Sequence, residues 1–422
     1  MNWKEILKWF YPGMRVKRWG LSAVLSTILF GFSILLLIGK KWVGLVYDAI
    51  SSWPGYYYLV AGFSFLLGIV GLVWSVARLA NSITAVISPV SESTSNMIWK
   101  NRLLSKGERV VAVGGGTGLS VLLKGLKKHT SNLTAIVTVM DDGGSSGRLR
   151  EEMNMLPPGD IRNCLIALAD DESQMSKVFQ HRFRSGAELG GHSLGNLIIA
   201  GMEQIEGGFD RAIEETSNLL SIRGRVVPST LKNTHIVARL EDGKLVTGES
   251  NLSTYPGRIR EIKLAEQAPP YSEALKAINE AEIIILGPGS LFTSIIPNLL
   301  VDELAFTIQK ARAKKYYVTN IMIEPGETDG MSASDHLDML DSYIDASKLD
   351  FVVVNNGNVD SIVLDRYVSE GSGLVQPDLK PDNNYGVSVI EDDLIDLVEL
   401  EGKNTVKHDH ERLAKLILSS SR

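Results

Sequence analysis

Apolar and polar positions change their rhythm near Gly107. Before it lie two long uncharged runs, Leu21 to Gly39 and Tyr56 to Ala77. At 1.5 Å per residue the first makes about 28 Å of helix, close to the thickness of a bilayer core. Tyr56-Tyr57-Tyr58 and Trp74 stand near the two ends of the second run, where aromatic residues suit a membrane interface. Lys4, Lys8, Arg15, Lys17 and Arg18 precede the first run; Arg78, Lys100, Arg102 and Lys106 follow the second. The loop between them holds Lys40-Lys41 against Asp48. Positive charge on the outer flanks predicts two transmembrane helices with both termini and the soluble domain cytoplasmic, a multi-pass protein of the cell membrane. A cleaved signal peptide is disfavoured, because no small-residue cleavage site is evident and a second span follows. The expected layout is an N-terminal segment 1–20, two helices within 21–80, a linker 81–107 and one nucleotide-binding domain 108–422.

From Glu108 onward the pattern is strand, turn, helix. Short apolar runs predict strands at Val110–Val113, Leu133–Val139, Thr234–Leu240, Ile283–Leu286, Tyr316–Asn320 and Phe351–Asn355. Helical spacing predicts helices at Leu119–Lys128, Ile161–Ala169, Leu194–Ile205, Phe209–Leu220, Ser272–Glu280, Glu303–Lys314, Ala333–Ile344 and His410–Ser419. Strands that are apolar on both sides belong in a parallel sheet covered on both faces. The expected fold class is therefore α/β, a Rossmann-like, doubly wound, mostly parallel sheet. Between His235 and Lys263, Glu241-Asp242-Gly243-Lys244 reads as a hairpin turn and marks an antiparallel insertion or edge.

Composition narrows the function only at its margins. The 422 residues are 44% apolar and 22% charged, with a net charge of −6. That balance gives no general pull toward nucleic acid. One cysteine, Cys164, excludes an intrachain disulfide and a paired-cysteine metal site.

The candidate chemistry lies in the turns. Gly114-Gly115-Gly116-Thr117-Gly118 joins an apolar strand to a helix, a corner where amides and the helix N-terminus receive an anion. It lacks the dinucleotide fingerprint, since Leu119 and Val121 stand where glycines are required, and no Gly-Lys-Ser/Thr follows as in a Walker A loop. Asp141-Asp142-Gly143-Gly144-Ser145-Ser146-Gly147-Arg148 leaves the next strand. Its paired carboxylates suit Mg²⁺ or a ligand hydroxyl, or else form a solvated turn. Asp160, Arg162 and Asn163 follow Pro157-Pro158-Gly159, with Asp160 equally readable as a helix N-cap. Gly190-Gly191-His192-Ser193-Leu194-Gly195-Asn196 precedes another helix, and His192 reads as an acid–base group or a structural hydrogen-bonding residue. Gly287-Pro288-Gly289-Ser290-Leu291-Phe292-Thr293-Ser294 is a second strand-to-glycine corner. Asn320 and Pro325-Gly326-Glu327-Thr328 lie on the same expected edge, where open sheets bind ligands.

Six of these segments in order resemble the YvcK/CofD-like family of gluconeogenesis factors, UDP-N-acetylglucosamine-binding proteins. They are Gly114 to Gly118, Asp141 to Arg150, Pro157 to Asn163, Gly191 to Asn196, Gly287 to Leu299 and Gly326 to Gly330, and the likeness runs from about Arg109 to Leu418. The resemblance implies a nucleotide-sugar-binding regulator of cell shape, envelope synthesis and gluconeogenic growth. Its alternative is a CofD-like transferase that moves a phospholactyl group with Mg²⁺, the one cofactor the resemblance suggests. An NAD-dependent oxidoreductase is disfavoured by the broken fingerprint. The ligand-binding residues so implied are Gly115, Gly116, Thr117, Gly118, Asp141, Asp142, Ser145, Ser146, Arg162, Asn163, Gly195, Asn196, Gly287, Gly289, Ser290, Leu291, Thr293 and Asn320. Tyr367 and Lys407 are added as base- and phosphate-contacting groups, and Asp141 with Asp142 as metal ligands. The expected partners are a UDP-sugar or related nucleotide, the membrane, a protein of envelope synthesis and a second copy in a homodimer. Departures from the family pattern are Phe292 in place of tyrosine, Lys407 in place of arginine, and the two membrane runs.

Overall fold

Five consecutive residues of the first strand, β1 (Val110–Gly114), are all buried, as a strand covered on both faces must be. The structure, a computed structural model, describes residues 17–38, 54–87, 102–170, 172–184, 189–252, 255, 257–400 and 403–421. It divides into two units, Met1–Lys100 and Asn101–Arg422.

In the first unit, helices α1 (Lys17–Ile38) and α2 (Pro54–Ile87) pack antiparallel. Trp19 meets Trp74 edge-on and Phe30 meets Phe65, both with ring centroids 5.0 Å apart. Small residues let the backbones approach: Ser22 and Ser75 hydroxyls bond at 2.7 Å, and a methyl on Gly71 would lie 2.5 Å from Ser26 Oγ. The outward faces are apolar and exposed, with Leu21, Val24 and Ile28 on α1 and Leu59, Phe63 and Val73 on α2. Leu59–Leu79, 21 residues of mean hydropathy 2.2, is long and apolar enough to cross a membrane; Trp19–Leu35 is a shorter apolar helix. By length and composition one of the two expected spans meets the requirement. The Lys40-Lys41 loop, the basic residues before Lys17 and most of the expected linker lie outside the described residues.

The second unit is built on a seven-stranded sheet. Its strands are β1, β2 (Leu133–Val137), β3 (Arg225–Pro228), β7 (Ile283–Leu286), β8 (Lys314–Val318), β9 (Phe351–Asn355) and β10 (Ser388–Asp392). The spatial order is β10-β9-β8-β7-β1-β2-β3, and every neighbouring pair is parallel. Alternate residues feed two cores. Val111, Val113, Ile284, Leu286 and Tyr317 join one face, while Val110, Ala112, Ile283, Ile285 and Tyr316 join the other. Each fully buried side chain contributes roughly 1.5–3 kcal/mol relative to an exposed one. The expected insertion is a three-stranded antiparallel sheet of β4 (Ile236–Leu240), β5 (Leu245–Thr247) and β6 (Ile259–Leu264), with β4 central. Beyond β10, β11 (Ile395–Leu400) and β12 (Lys403–His408) form a hairpin that leads into the helix His410–Ser420.

Helix α3 (Gly116–Leu126) follows β1 and buries Leu119, Leu122, Leu123 and Leu126, the stripe its spacing predicts. Helices α4 (Gly144–Met153) and α5 (Gly159–Leu168) come next. Several expected boundaries move by a few residues, two of them next to each other. The helix expected over Glu303–Lys314 stops at Lys310, and the strand expected at Tyr316–Asn320 begins at Lys314 and ends at Val318. The strand admits a lysine because Lys315, only 7% exposed, lays its stem along apolar surface. Its ammonium donates to the carbonyls of Ala311 and Ala313 at 2.7 and 3.1 Å.

Candidate functional site

The strand order reverses direction at β1. The chain runs outward through β2 and β3, then returns to place β7 on the other side of β1. The loops after β1 and β7 therefore leave neighbouring strands and run to opposite faces, opening a crevice between them. Gly115 to Gly118 form one wall; Pro288, Gly289, Ser290, Thr293 and Ser294 form the other. The walls touch: a methyl on Gly118 would lie 2.6 Å from Pro288 O and 2.8 Å from Gly289 Cα. Gly116 opens α3 at φ 62, a left-handed conformation that glycine adopts without a side-chain clash. Asn298 clamps the corner, donating to Gly114 O at 3.0 Å and Ser294 O at 2.7 Å. The resulting cleft holds about 430 Å³.

Later segments close it. Asn320 Oδ1 accepts from the Gly289 amide at 3.3 Å. Ser290 Oγ accepts from the Thr293 amide at 3.2 Å and donates to Glu327 Oε2. The β11–β12 hairpin brings Lys407 and His408 over the glycine loop. Tyr367 does not line the cleft; its hydroxyl accepts from the Val406 amide at 2.9 Å and so braces the strand that carries Lys407.

A second polar layer stands beside the crevice. Arg162 donates to Ser193 Oγ, to Asn196 Oδ1 at 2.8 Å and to Asn163 Oδ1 at 3.0 Å. Ser145 Oγ lies 3.0 Å from His192 Nδ1 and accepts from Asn196 Nδ2 at 3.0 Å. His192 is 2% exposed, and burial holds its basicity below the usual value. Its place in the structure is that of a hydrogen-bonding residue. Asp141 Oδ1 accepts from the Gly143 amide and Asp142 Oδ1 from the Ser250 amide, both at 2.8 Å. The two carboxylates thus engage different segments. Among the described residues no three His, Cys, Asp or Glu side chains are gathered to hold a metal ion.

Of the residues expected at the ligand, Gly115, Gly116, Thr117, Gly118, Gly289, Ser290, Thr293, Asn320 and Lys407 line the cleft. Gly287 turns the backbone behind it at φ 83, and Leu291 is buried in the core. Asp141, Asp142, Ser145, Ser146, Arg162, Asn163, Gly195 and Asn196 are not among its lining residues. Four of them, Ser145, Arg162, Asn163 and Asn196, form the hydrogen-bonded layer beside it. Ser146 and Gly195 meet α5: a methyl on Gly159 would lie 2.4 Å from Ser146 Oγ, and one on Gly195 2.7 Å from Arg162 Cδ. Glu249, Glu324, Glu327 and His408 line the cleft without having been singled out as ligand contacts. Only the position of Glu327 after a Pro-Gly turn on the same edge hinted at it.

Carboxyls crowd this region. Asp160 is not the cap of α5, which begins at Gly159 after Pro158. It lies under the glycine loop, where a methyl on Gly115 would fall 2.5 Å from its Oδ2. Its residue keeps partial exposure, yet burial and the nearby Asp141 push the carboxyl up to about 7, against the pull of the Gly116 amide. Burial, Asp160 and Asp141 push Glu249 up to about 9. Both shifts are upward, so the folded state keeps these protons after the unfolded chain releases them near pH 4. Stability should fall as pH rises from about 4 to about 7 through Asp160, and on to about 9 through Glu249. Thermal unfolding of the ligand-free protein across this range should show that slope, and Asp160→Asn should flatten its lower part. An Asp160→Asn profile parallel to wild type would contradict the assignment.

An all-parallel sheet with glycine loops meeting at its switch point defines an α/β protein with a glycine-lined cleft. The family model of 2-phospho-L-lactate transferase CofD matches residues 110–395, and the chain belongs to that family. The gluconeogenesis factor of Bacillus subtilis is 43% identical over 311 residues, covering 74% of this chain and 97% of that one. A Clostridium acetobutylicum protein with the same designation in provisional form is 39% identical over 424 residues, covering 99% and 92%. That match takes in the N-terminal helices. A crystal structure of a Bacillus halodurans protein, 42% identical, aligns with a TM-score of 0.70 over 74% of this chain and all of its own.

Proposed function

We propose that this chain is a membrane-anchored regulator that binds a nucleotide-sugar of the UDP-N-acetylglucosamine type and governs envelope synthesis, cell shape and gluconeogenic growth. The observation that carries the reading is the cleft itself: two glycine loops and the Lys407 ammonium converge at the switch point of an open sheet. Amides at the start of α3 have no intrahelical acceptor, and a phosphate supplies one. The names of relatives as gluconeogenesis factors support the part about gluconeogenic growth. Calorimetry of the full chain in detergent should give saturable binding of UDP-N-acetylglucosamine. Silence across UDP-sugars, NAD and GDP would reject the reading.

The exposed apolar faces of α1 and α2 support the membrane anchor, since patches of that extent are rare on soluble monomers. The soluble domain is then cytoplasmic. The full chain should stay with membranes in alkaline carbonate, and a chain lacking residues 1–100 should not.

The carboxyls favour a second reading, a Mg²⁺-dependent transferase. Asp141, Asp142, Asp160 and Glu249 are hard oxygen donors, and Glu249 Oε2 is buried without a partner. The donor chemistry suits Mg²⁺, but these side chains do not converge on one point, so no step through the ion follows from them. Turnover of a nucleotide diester that is lost in Asp142→Asn would establish this reading.

A further inference from the structure

The cleft is lined by both donors and acceptors. Its glycine loops and Lys407 offer amides and an ammonium, which are donors. Beside them stand lining side chains with acceptor atoms that have no partner. Glu324 Oε2 and His408 Nε2 are both buried with no hydrogen-bond partner. His408 is 8% exposed and lines the cleft, as does Glu324. Its ring bonds the Thr319 backbone, and Nε2 is the nitrogen left over. The bonded nitrogen therefore donates to a carbonyl, and a neutral ring leaves Nε2 as a bare acceptor. Burial holds this ring neutral, with its basicity lowered to about 4. Buried acceptors left unmet are costly, so a cleft that keeps three of them, Glu249 Oε2 included, is suited to a partner bearing donors.

Glu327 stands beside Glu324 and accepts from the Ser290 hydroxyl. Ser290 thereby links these acceptors to the glycine loop that contains Gly289. Asn320 Nδ2 is likewise buried without a partner. Its amide adds one donor among the acceptors, as recognition of groups that both give and take a hydrogen bond requires.

We infer that Glu324, Glu327 and His408 form the subsite for the hydroxyl-bearing sugar ring of a ligand whose phosphate rests on the glycine loops. Sugar hydroxyls donate to the carboxyl oxygens and to His408 Nε2, and one of them accepts from Asn320. A bound cation is the poorer fit, because no third carboxyl, histidine or cysteine joins the pair in a metal-holding group among the described residues. Burial and the neighbouring Glu327 push Glu324 up to about 8, so the pair carries less than two charges near neutrality and repels an approaching phosphate less. These three residues are specificity-determining and positioning groups, and the assignment rests on the nucleotide-sugar reading above.

The test compares UDP-N-acetylglucosamine with UDP by calorimetry on the full chain in detergent. Glu324→Met removes the carboxyl at similar volume, and His408→Phe removes Nε2 together with the ring's bond to the Thr319 backbone. Each should weaken the UDP-sugar about tenfold or more while changing UDP by less than about twofold. On the unaltered chain, a UDP-sugar with its hydroxyls O-methylated should bind no tighter than UDP, a result that needs no variant to fold. Equal loss of both ligands in variants that melt like wild type, unchanged binding of the UDP-sugar, or full affinity for the methylated ligand would overturn the subsite. Tight UDP binding without any gain from the sugar would overturn the subsite alone. Binding of neither would remove the nucleotide-sugar reading and the subsite together.

Discussion

Gly118→Ala should lower affinity for the proposed nucleotide-sugar on the order of 100-fold, while the sheet stays folded. A methyl at this position meets Pro288 O at 2.6 Å and Gly289 Cα at 2.8 Å. Both obstacles are backbone, so neither yields by a side-chain rotation. The loops after β1 and β7 must part, and forced separation of packed groups costs roughly 1–3 kcal/mol. That cost falls on the geometry that receives the ligand, and 2.7 kcal/mol corresponds to about 100-fold in affinity. Isothermal titration with the UDP-sugar reads the loss, and far-UV circular dichroism reads the retained fold. Wild-type affinity in this variant would show that the contact between the two loops is not part of the binding site.

Gly125→Ala should act on stability more than on any other property. Its methyl would fall 1.8 Å from the His410 carbonyl oxygen and 2.9 Å from the Ala414 methyl. These atoms belong to the helix His410–Ser420, whose Leu413, Ala414 and Ile417 are buried. The helix must move off α3 or the helix must tilt, at a cost of about 3 kcal/mol or more. For a unit of this size the midpoint of thermal unfolding should drop by roughly 5–10 °C. The β11–β12 hairpin directly precedes this helix, so Lys407 and His408 should shift with it and ligand affinity should fall as well. A melting point within a degree or so of wild type would mean that the close approach of the two helices is absent.

What could be read from the sequence depended on where apolar residues were continuous. β1, β7 and β9 are unbroken apolar runs between turns, and each lies where its pattern places it. β3 escaped because it is four residues long and contains Arg225 and Pro228, which a strand at the sheet edge tolerates. β10, β11 and β12 escaped because their polar alternation resembles loop sequence until the pairing partner is known. α4 reads GSSGRLREEM, a stretch whose only strong apolar residue is Leu149. Within the site, glycine loops announce themselves by composition. Glu249, Glu324 and His408 do not, because what singles them out is a buried atom without a partner, and that is a property of the folded chain alone.

The ring of residues around the cleft begins at Gly115 and ends at His408. A nascent chain emerging from the ribosome therefore lacks a complete receptor until nearly three hundred residues after its first loop has appeared. Under the proposed reading, any stabilisation that a ligand gives is coupled to closure of the β11–β12 hairpin, because that hairpin supplies the last part of the lining.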